Sequence, residues 1–358
     1  MNLDDGQVAA LVMQWQQEHG RSHLPWQQSR DPYRVWLSEI MLQQTQVRTV
    51  LDYFPRFLER FSDVRALAAA SQDEVLSMWS GLGYYSRARN LHRCAQQVVA
   101  VHGGVFPTSA VELAALPGIG RSTAGAIAAF CFGERAPILD ANVRRVLTRL
   151  LGFGEDLAIA AHERTLWELA TSLLPHQKLA QAMPRYTQGL MDLGAMVCFP
   201  RKPLCGQCPL QAKCCALAQG AQEAYPVRTR KLVRSSEAWW LLVLRDSQDR
   251  VWLQRRESRG IWAGLYCVPV FHCYQDLVEH PLGRIASNRM ERASFLHVLT
   301  HRDLHLHPVL GQAPASVVVS DDEGAWFGAQ EWRQLGLPAP VRKLLDDTTL
   351  AATGSAPV

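Results

Sequence analysis

The sequence predicts a multidomain protein in which an all-α domain precedes a mixed α/β domain. From residue 6 to about residue 217, apolar side chains recur at intervals of three and four residues, which is typical of amphipathic helices. Beyond residue 238 the pattern changes to alternation and to short apolar runs, which predict strands. A length of 358 residues suggests two to three domains, and the two patterns reduce that number to two.

Composition restricts the classes of protein to which the chain can belong. It is 48% hydrophobic and 20% charged, which indicates packed cores rather than disorder. No apolar run approaches the ~18 residues of a membrane span. The amino end carries Asp4 and Asp5 and then reads as an amphipathic helix, so we expect no export signal, no membrane association and a cytoplasmic location. A net charge of +4 does not by itself identify a polyanion partner.

Capping residues predict where helices of the first domain begin. Asp31 followed by Pro32 predicts the start of one helix, and Ser71 or Asp73 predicts the start of another. Helical spacing with short turns continues beyond these points, and we assign residues 1–220 to the all-α domain.

The second domain is predicted at residues 238–350, with helices near residues 274–280 and 340–346. A basic linker with few apolar residues, 221–237, joins it to the first domain, and we expect a flexible tail at 351–358. Strands are predicted at residues 239–244, 251–253, 265–271, 304–310 and 316–319.

Four of the nine cysteines lie within seventeen residues, in the pattern C-x6-C-x2-C-x5-C. An odd number of cysteines without an export signal argues against a disulfide framework, whereas four close thiolates can converge on one metal centre. Zinc sites usually have two close pairs, and iron–sulfur clusters also take four cysteines at uneven spacing, so the spacing leaves both metals open. Arg201, Lys202 and Lys213 would make the folded loop suitable for a phosphate backbone. The four residues are Cys198, Cys205, Cys208 and Cys214.

A helix-hairpin-helix is predicted at about residues 111–132, around the sequence Leu-Pro-Gly-Ile-Gly. Gly118 and Gly120 would let the backbone turn tightly and approach a ligand closely. The amides that open the second helix would then point outward, where they can bind a phosphate oxygen. The pattern therefore favours binding to the DNA backbone.

Two acidic residues are candidates for catalysis. Asp140 follows an apolar stretch and opens a helix, which by itself indicates only a helix cap. Glu39, however, lies within Val-Trp-Leu-Ser-Glu-Ile-Met-Leu, which is apolar on nearly all sides. Desolvation would raise the pKa of Glu39 and keep it protonated, while the helix N-terminus would keep Asp140 ionised. A proton donor beside an anion is what cleavage of an N-glycosidic bond requires.

Side chains that could enter a DNA duplex follow Glu39 in the sequence. The amides of Gln43 and Gln44 could fill the gap that an extruded nucleotide leaves. The aromatic ring of Tyr84 could wedge into a base step.

Six segments together closely resemble the MutY-type adenine DNA glycosylases, which belong to the helix-hairpin-helix superfamily that also contains endonuclease III. The resemblance extends from about residue 7 to residue 350. It implies an all-α helix-hairpin-helix glycosylase domain followed by an α/β Nudix-like domain. It also implies a base excision repair enzyme that flips out and removes adenine mispaired with 8-oxoguanine or guanine in double-stranded DNA. The segments are LPW from Leu24, LSEIMLQQTQV from Leu37, GLGYYSRARN from Gly81, LPGIGRSTAG from Leu116, ILDANV from Ile138 and the four-cysteine loop.

The resemblance implies a role for individual residues of the first domain. Glu39 would protonate the adenine ring, and Asp140 would stabilise or briefly bond the sugar cation. Asn142 matches a polar neighbour of that site. Gln44 would insert into the duplex, and Tyr84 would wedge beside the damaged base.

The resemblance also implies one 4Fe-4S cluster on the four cysteines, and the spacing favours Cys214 over the adjacent Cys215 as the fourth ligand. Ser122 stands where lyase members have a lysine that attacks the sugar, and a serine cannot form a Schiff base. We therefore expect a monofunctional enzyme, which disfavours a bifunctional pyrimidine-lesion glycosylase of the endonuclease III type. Glu39 and Asp140 argue against a non-catalytic mispair-binding protein.

The second domain is similar to the Nudix-like domain with which MutY proteins read 8-oxoguanine. Residues 297–301 match the family's F-S-H loop, with Leu299 in place of Phe, so Thr300 and His301 are the expected lesion readers. The R-E-x-x-E-E cluster that binds magnesium in Nudix hydrolases is missing after Phe271, so we expect recognition and not hydrolysis.

Two further departures from the family pattern lie beside Asp140. Ala141 replaces a common Gly and Arg144 replaces a common Lys, and neither change removes a carboxylate. For the whole protein the resemblance implies a monomer in a bacterial cytosol, with repair or replication proteins docking at the linker.

Overall fold

The computed structural model describes residues 5–229, 233–314 and 324–353. The chain forms two compact units. The first comprises Met1–Ala68 and Arg93–Lys231, and the second comprises Ala69–His92 and Leu232–Val358. Within the described ranges, no helix combines the length and the apolar character that a membrane crossing needs.

Helices make up the first two thirds of the chain, which confirms the predicted all-α part. The helices at Ala110–Ala114 and Arg121–Ile127 form the predicted helix-hairpin-helix, and the second of them continues as a π-helix at Ala128–Phe132. The α-helices are α1 Asp5–His19, α2 Pro32–Leu42, α3 Val47–Arg60, α4 Val64–Ala69, α5 Gln72–Met78, α6 Ser86–His102, α7 Ala110–Ala114, α8 Arg121–Ile127, α9 Ala141–Leu151, α10 Ala160–Ser172, α11 Leu179–Met196 and α12 Cys215–Ala218.

Predicted capping residues begin two of these helices. The Asp31 carboxylate accepts a backbone N–H of α2 at 2.9 Å, and Pro32 occupies the first helical position, where its missing N–H costs no hydrogen bond. Ser71, rather than Asp73, caps α5, because its hydroxyl accepts the N–H of Glu74 at 3.1 Å.

A core formed by α1, α9 and α11 supports the region around Asp140. Val8 and Val12 of α1, Val143 and Leu147 of α9 and Leu190 of α11 are almost completely buried. Each such side chain contributes roughly 2 kcal/mol when it is removed from water. The first turn of α9, which follows Asp140, is therefore fixed against α11 by packing.

The second unit contains a mixed sheet with two long parallel strands at its centre. Ser235–Arg245 and Arg302–Gln312 pair in parallel along their whole length. The strands are β1 Ser235–Arg245, β2 Val251–Arg255, β3 Tyr266–Cys267, β4 Val270–Phe271, β5 Ser287–Glu291, β6 Phe295–Val298, β7 Arg302–Gln312 and β8 Ala325–Phe327. Their order is β3-β2-β1-β7-β5, and β4, β6 and β8 pair with β1, β7 and β2 respectively.

Helices complete the second unit, which confirms the predicted α/β class. α13 and α14 place Leu277 and Leu282 in one core with Leu242, Leu244 and Val309 of the sheet. The helices are α13 Tyr274–Glu279, α14 Pro281–Ile285, α15 Ala329–Trp332 and α16 Ala339–Thr353.

Residues 69–92 belong to the second unit, although the sequence placed them in the all-α domain. The hydroxyls of Ser80 and Tyr85 both donate to the carbonyl oxygen of Leu337, each at 3.1 Å. The glycine turn at residues 81–84 is thus built on the second unit.

The predicted strands agree with the sheet where apolar residues are continuous. Residues 239–244, 251–253 and 304–310 lie within β1, β2 and β7. The predicted strand 265–271 is divided into β3 and β4, and Pro269, which has no N–H to donate, lies between them. β5 and β6 were not predicted because exposed side chains hide their alternation. The predicted strand at 316–319 lies outside the described residues.

Part of the segment predicted as a linker, 221–237, is held by the first unit. The N–H of Leu157 donates to the carbonyl of Val227 at 3.2 Å. The N–H of Thr229 donates to Asp156 at 3.3 Å. At the other end, β1 begins at Ser235.

The predicted tail, 351–358, begins inside a helix. α16 continues to Thr353, several residues beyond the predicted helix end at 346. Residues 354–358 lie outside the described residues.

Gly125 of α8 provides a test of how tightly the hairpin packs. A Cβ atom at this position would lie 2.4 Å from the carbonyl oxygen of Pro137, just before Asp140. We expect Gly125→Ala to lower the free energy of unfolding by about 1–3 kcal/mol, measured by urea denaturation. Gly154→Ala is the control, because a Cβ there meets no atom within 4 Å. Equal effects of the two substitutions would contradict close packing at Gly125.

Candidate active site

A single cavity of the first unit brings together the three predicted catalytic residues and three of the predicted DNA-contacting residues. Its volume is about 870 Å³. Glu39 and Asp140, which are separated by one hundred residues in the sequence, both line it. The other predicted site residues that line it are Asn142, Gln43, Gln44 and Ser122.

Glu39 lies in α2 among side chains that exclude water. Trp36, Leu37, Ile40 and Met41 are buried around it, while Glu39 itself is half-buried and opens on the cavity. The pKa of Glu39 is raised from 4.5 to about 8. Burial is the larger cause, and the charge of Asp140 is the smaller one. At neutral pH this carboxyl group therefore holds a proton, as the sequence predicted.

Asp140 is the N-cap of α9 and accepts the N–H of Val143 at 2.7 Å. Burial is the largest influence on the pKa of Asp140 and raises it, opposite to the effect of the helix N-terminus on which the sequence prediction was based. The amides of Val143 and Asn142 and the guanidinium groups of Arg145 and Arg144 act in the opposite direction. These amide and guanidinium groups favour the charged form of Asp140, whereas burial and the charge of Asp140 both disfavour the charged form of Glu39.

Asn142 is fixed at the cavity by a buried guanidinium group. Nη2 of Arg145 donates to Oδ1 of Asn142 at 2.8 Å and to the carbonyl of Gly194 at 2.7 Å. Nε of Arg145 donates to the carbonyl of Cys198 at 2.7 Å. A Cβ at Gly194 would lie 2.6 Å from Cβ of Asn142, so glycine permits α11 to approach α9 here. One side chain thus connects the cavity to the cysteine loop.

Ser122 contributes a hydroxyl group to the same cavity. Its Oγ accepts the N–H of Leu139 at 3.0 Å, which fixes the backbone immediately before Asp140. Gln43 donates from Nε2 to the hydroxyl of Thr123 at 3.3 Å. Gln44 is exposed and adopts a left-handed backbone with φ of 56°, which is uncommon for a residue with a side chain.

The two glycines of the hairpin are favoured at their positions for different structural reasons. Gly118 has φ of 76°, a conformation that L side chains rarely adopt. Gly120 has an ordinary φ, but a Cβ there would meet no atom within 4 Å, so its backbone is open to an approaching group. The hairpin therefore presents accessible backbone, as predicted for a DNA contact.

Three polar residues of this region were not identified from the sequence. Arg21 and Gln188 line the cavity, and both hydrogen-bond to the fully buried carboxylate of Asp192. Nε of Arg21 donates to Asp192 at 2.7 Å, and Nε2 of Gln188 donates at 2.9 Å. The sequence pattern that could have identified Asp192 is the one that identified Glu39. Both are acidic residues within apolar stretches, here Leu-Met-Asp-Leu-Gly.

The four predicted cysteine ligands border one small cavity of about 30 Å³. Cys214 is among the residues that line it and Cys215 is not, which agrees with the choice of Cys214. Burial raises the pKa of the Cys208 thiol to about 11, and the other three cysteines push it in the same direction. In the described part of the chain, no three His, Cys, Asp or Glu side chains are close enough together to bind one metal ion.

A buried arginine supplies hydrogen-bond donors to the cysteine loop. Nη1 of Arg149 lies 3.3 Å from Sγ of Cys198 and 2.6 Å from the carbonyl of Phe199, and Nη2 donates to Pro200. Donors of this kind stabilise thiolate sulfur, so the donor set fits a centre ligated by cysteine.

The predicted lesion readers lie at the turn between β6 and β7 in the second unit. Thr300 and His301 are both exposed, and the carbonyl of His301 accepts the N–H of Ser235 at 3.1 Å. The hydroxyl of Thr300 is hydrogen-bonded to that of Tyr84, whose side chain is 41% exposed. The structure therefore places two predicted DNA-contacting residues of distant sequence side by side.

Two families of known proteins match the chain. The HhH-GPD superfamily of base excision DNA repair proteins matches residues 37–171. The NUDIX domain family matches residues 240–347.

Curated relatives match either nearly the whole chain or about three fifths of it. The adenine DNA glycosylase of Buchnera aphidicola subsp. Acyrthosiphon pisum (strain APS) is 36% identical over 341 residues, which cover 94% of this chain and 96% of that protein. The adenine DNA glycosylase of Homo sapiens is 41% identical over 221 residues, covering 59% of this chain and 40% of that protein.

Solved structures match the helical part. A thermostable thymine-DNA glycosylase has a TM-score of 0.52 and 28% identity, covering 59% of this chain and 95% of that one. A non-covalent complex of endonuclease III with DNA has a TM-score of 0.50 and 22% identity, covering 61% and 98% respectively. The second comparison shows a shared fold.

The raised pKa of Glu39 predicts how stability depends on pH. The folded protein retains this proton up to a pH of about 8, whereas an ordinary glutamate releases it near 4.5. The folded state therefore binds more protons in this window, and the free energy of unfolding should fall as the pH rises through it. We expect Glu39→Gln to remove that decline, which amounts to a few kcal/mol at most. Urea denaturation from pH 5 to 9 measures it, and parallel curves for the wild type and the variant would contradict the raised pKa.

The exposed Glu59 provides the matched control for that measurement. Glu59→Gln also removes one carboxylate, but from a solvated helix surface. Its stability curve should follow that of the wild type.

Proposed function

We propose, from the premise that this chain belongs to the adenine DNA glycosylase family of base excision DNA repair, that it removes adenine mispaired with 8-oxoguanine or guanine. The observation that carries this proposal is the pair of carboxyl groups in one cavity, Glu39 with a pKa raised to about 8 and Asp140 at the N-terminus of α9, where it accepts the N–H of Val143. Base flipping would bring the adenine nucleotide out of the duplex and into this cavity.

Glu39 would act as the general acid. Protonation of the adenine ring makes the base a better leaving group, and a pKa of about 8 keeps the proton available at neutral pH. As the glycosidic bond breaks, positive charge develops on the sugar, and the Asp140 carboxylate would stabilise it electrostatically or by brief covalent bonding. Asn142, fixed by Arg145, would orient the reacting groups from the same cavity wall.

Arg21 and Gln188 would contribute to recognition of the flipped base. Both line the cavity and both are fixed through Asp192, so their geometry is set before a base enters. Pre-set donors of this kind discriminate between bases because an incorrect base leaves them without partners.

Contacts to the duplex would come from several parts of the first unit. Backbone amides near Gly118 and Gly120 would bind phosphate oxygens, and Gln43 and Gln44 would occupy the space of the extruded nucleotide. The exposed position of Gln44 at the cavity supports an inserting role, because its side chain is accessible to a duplex.

Recognition of the opposite strand would be the task of the second unit. Tyr84 would wedge beside 8-oxoguanine, while Thr300 and His301 would hydrogen-bond to it. The bond between Tyr84 and Thr300 supports this assignment, because it holds the ring and the reading loop together.

Ser122 supports a monofunctional reaction. Its hydroxyl is engaged with the N–H of Leu139, and it has no amine with which to form a Schiff base with the sugar. Water would then complete the reaction, and the DNA strand would remain intact.

The four cysteines would hold one 4Fe-4S cluster, with donors from Arg149 beside them. A cluster at this site would close the loop from Cys198 to Cys214 and fix the fold of its basic residues.

The decisive assay measures adenine release from duplexes that carry adenine opposite 8-oxoguanine, guanine or thymine. We expect release from the first two duplexes, and an intact sugar–phosphate strand until base is added. Glu39→Gln should abolish release while duplex binding remains, because the phosphate and lesion contacts lie elsewhere. Glu59→Gln is the control and should stay active. Absence of free adenine from the 8-oxoguanine duplex would overturn the proposal, and strand cleavage without added base would overturn its monofunctional part.

A second prediction concerns the ligands of the cluster. Cys214→Ser should strongly reduce the iron and sulfide content of the purified protein, because one of four ligands is lost. Cys215→Ser should leave both contents unchanged, since Cys215 does not border the cysteine cavity. Zinc in place of iron, or loss of iron from the Cys215 variant, would contradict the assignment.

A further inference from the structure

The turn that carries Tyr84 has an unusual backbone. Gly81, Gly83 and Tyr84 have φ values of 103°, 70° and 47°. Glycine adopts these angles readily, but for tyrosine the left-handed conformation is sterically unfavourable. Such a conformation persists only where surrounding interactions hold it.

Arg87 is placed to hold this turn. It is 8% exposed, and its Nη2 donates to the carbonyl oxygens of Leu82 at 3.0 Å and Gly83 at 3.1 Å. These two carbonyls directly precede Tyr84, so the guanidinium group fixes the peptide planes that lead into the strained residue.

The guanidinium group of Arg87 also lies between two aromatic rings. Its Cζ is 5.2 Å from the ring centroid of Trp79 and 5.6 Å from that of Tyr84. Nε1 of Trp79 donates to the carbonyl of Gly83 at 3.1 Å, so Trp79 and Arg87 bind the same carbonyl oxygen. A planar cation suits this position because it stacks on rings and donates from its edge at once.

We propose that Arg87 is the positioning residue for the Tyr84 wedge, which fixes the backbone and ring of Tyr84 before DNA binds. The proposal rests on the proposed role of Tyr84 beside 8-oxoguanine and adds the residue that acts through it. Preorganisation of this kind increases affinity because the ring is not ordered at the moment of binding. Burial lowers the pKa of Arg87 to about 10, so the group remains a cation at neutral pH.

The first experiment examines Tyr84 without DNA. With 3-fluorotyrosine incorporated at position 84, fluorine NMR of the full chain reports the surroundings of that ring. We expect Arg87→Met to shift and broaden this resonance, and Arg87→Lys to do so partly, because lysine keeps the charge but cannot bridge two carbonyls and stack. Arg250→Met is the control, since Arg250 pairs with Asp246 at 2.7 Å in the β1–β2 turn and is remote in sequence from Tyr84. An unchanged resonance in Arg87→Met would overturn the proposal.

The second experiment is a double-mutant cycle on binding to a duplex with 8-oxoguanine opposite a non-cleavable adenine analogue. We expect Tyr84→Ala and Arg87→Met each to weaken binding by about tenfold, and the double variant to be no weaker than Tyr84→Ala alone. Independent, multiplied losses would overturn the proposal, because Arg87 would then act apart from Tyr84. Thermal unfolding of each variant shows whether a loss of binding reflects a loss of fold. If Arg87→Met is unfolded, Arg87→Lys replaces it in the double-mutant cycle.

The two experiments separate this proposal from the function on which it rests. If Tyr84→Ala binds the lesion duplex normally but the fluorine resonance moves in Arg87→Met, Arg87 positions Tyr84 and the wedge role of Tyr84 is wrong. If Tyr84→Ala weakens binding and Arg87→Met leaves both binding and resonance unchanged, the wedge role stands and the role of Arg87 is wrong.

Discussion

The placement of two carboxyl groups in one cavity, where burial raises the pKa of both, is the constraint on which the first unit depends. Glu39 and Asp140 share this cavity, and burial disfavours the charged form of both. The fold separates their behaviour by giving Asp140 a helix N-terminus and nearby arginines, whereas Glu39 is surrounded by apolar side chains. The arrangement costs stability, which the packing of α1, α9 and α11 must offset.

α9 joins this cavity to the cysteine loop. Its N-terminal end carries Asp140 and Asn142, and one and two turns later Arg145 and Arg149 reach carbonyl groups of residues 198–200. Both arginines are almost completely buried, and a guanidinium group without partners in such a place would be very costly. Folding of the loop around the cysteines supplies those partners. The cysteine loop is thus part of the support of α9, in addition to any contact that its basic surface makes with DNA.

The sequence predicted those site residues whose polar side chains stand in or directly after apolar stretches. An acid among apolar residues, at Glu39, and a cap after an apolar stretch, at Asp140, were both recognised and lie together. The same pattern at Asp192 was overlooked, and its meaning differs, because Arg21 and Gln188 neutralise and satisfy it. At Glu39 burial and the charge of Asp140 both raise the pKa instead. An embedded acid therefore indicates burial, and only its partners, which come from distant sequence, distinguish a proton donor from a structural anchor.

The segment 69–92 shows why helical spacing could not divide the chain correctly between the units. Its apolar pattern is that of any amphipathic helix, and a pattern defines which face is buried but not which partner buries it. The partners here are residues such as Leu337, more than two hundred positions later. The same separation brings Tyr84 to Thr300, so a ring encoded within the helical part is bonded to the loop that follows β6. Because this segment belongs to the second unit, one compact unit presents both side chains together.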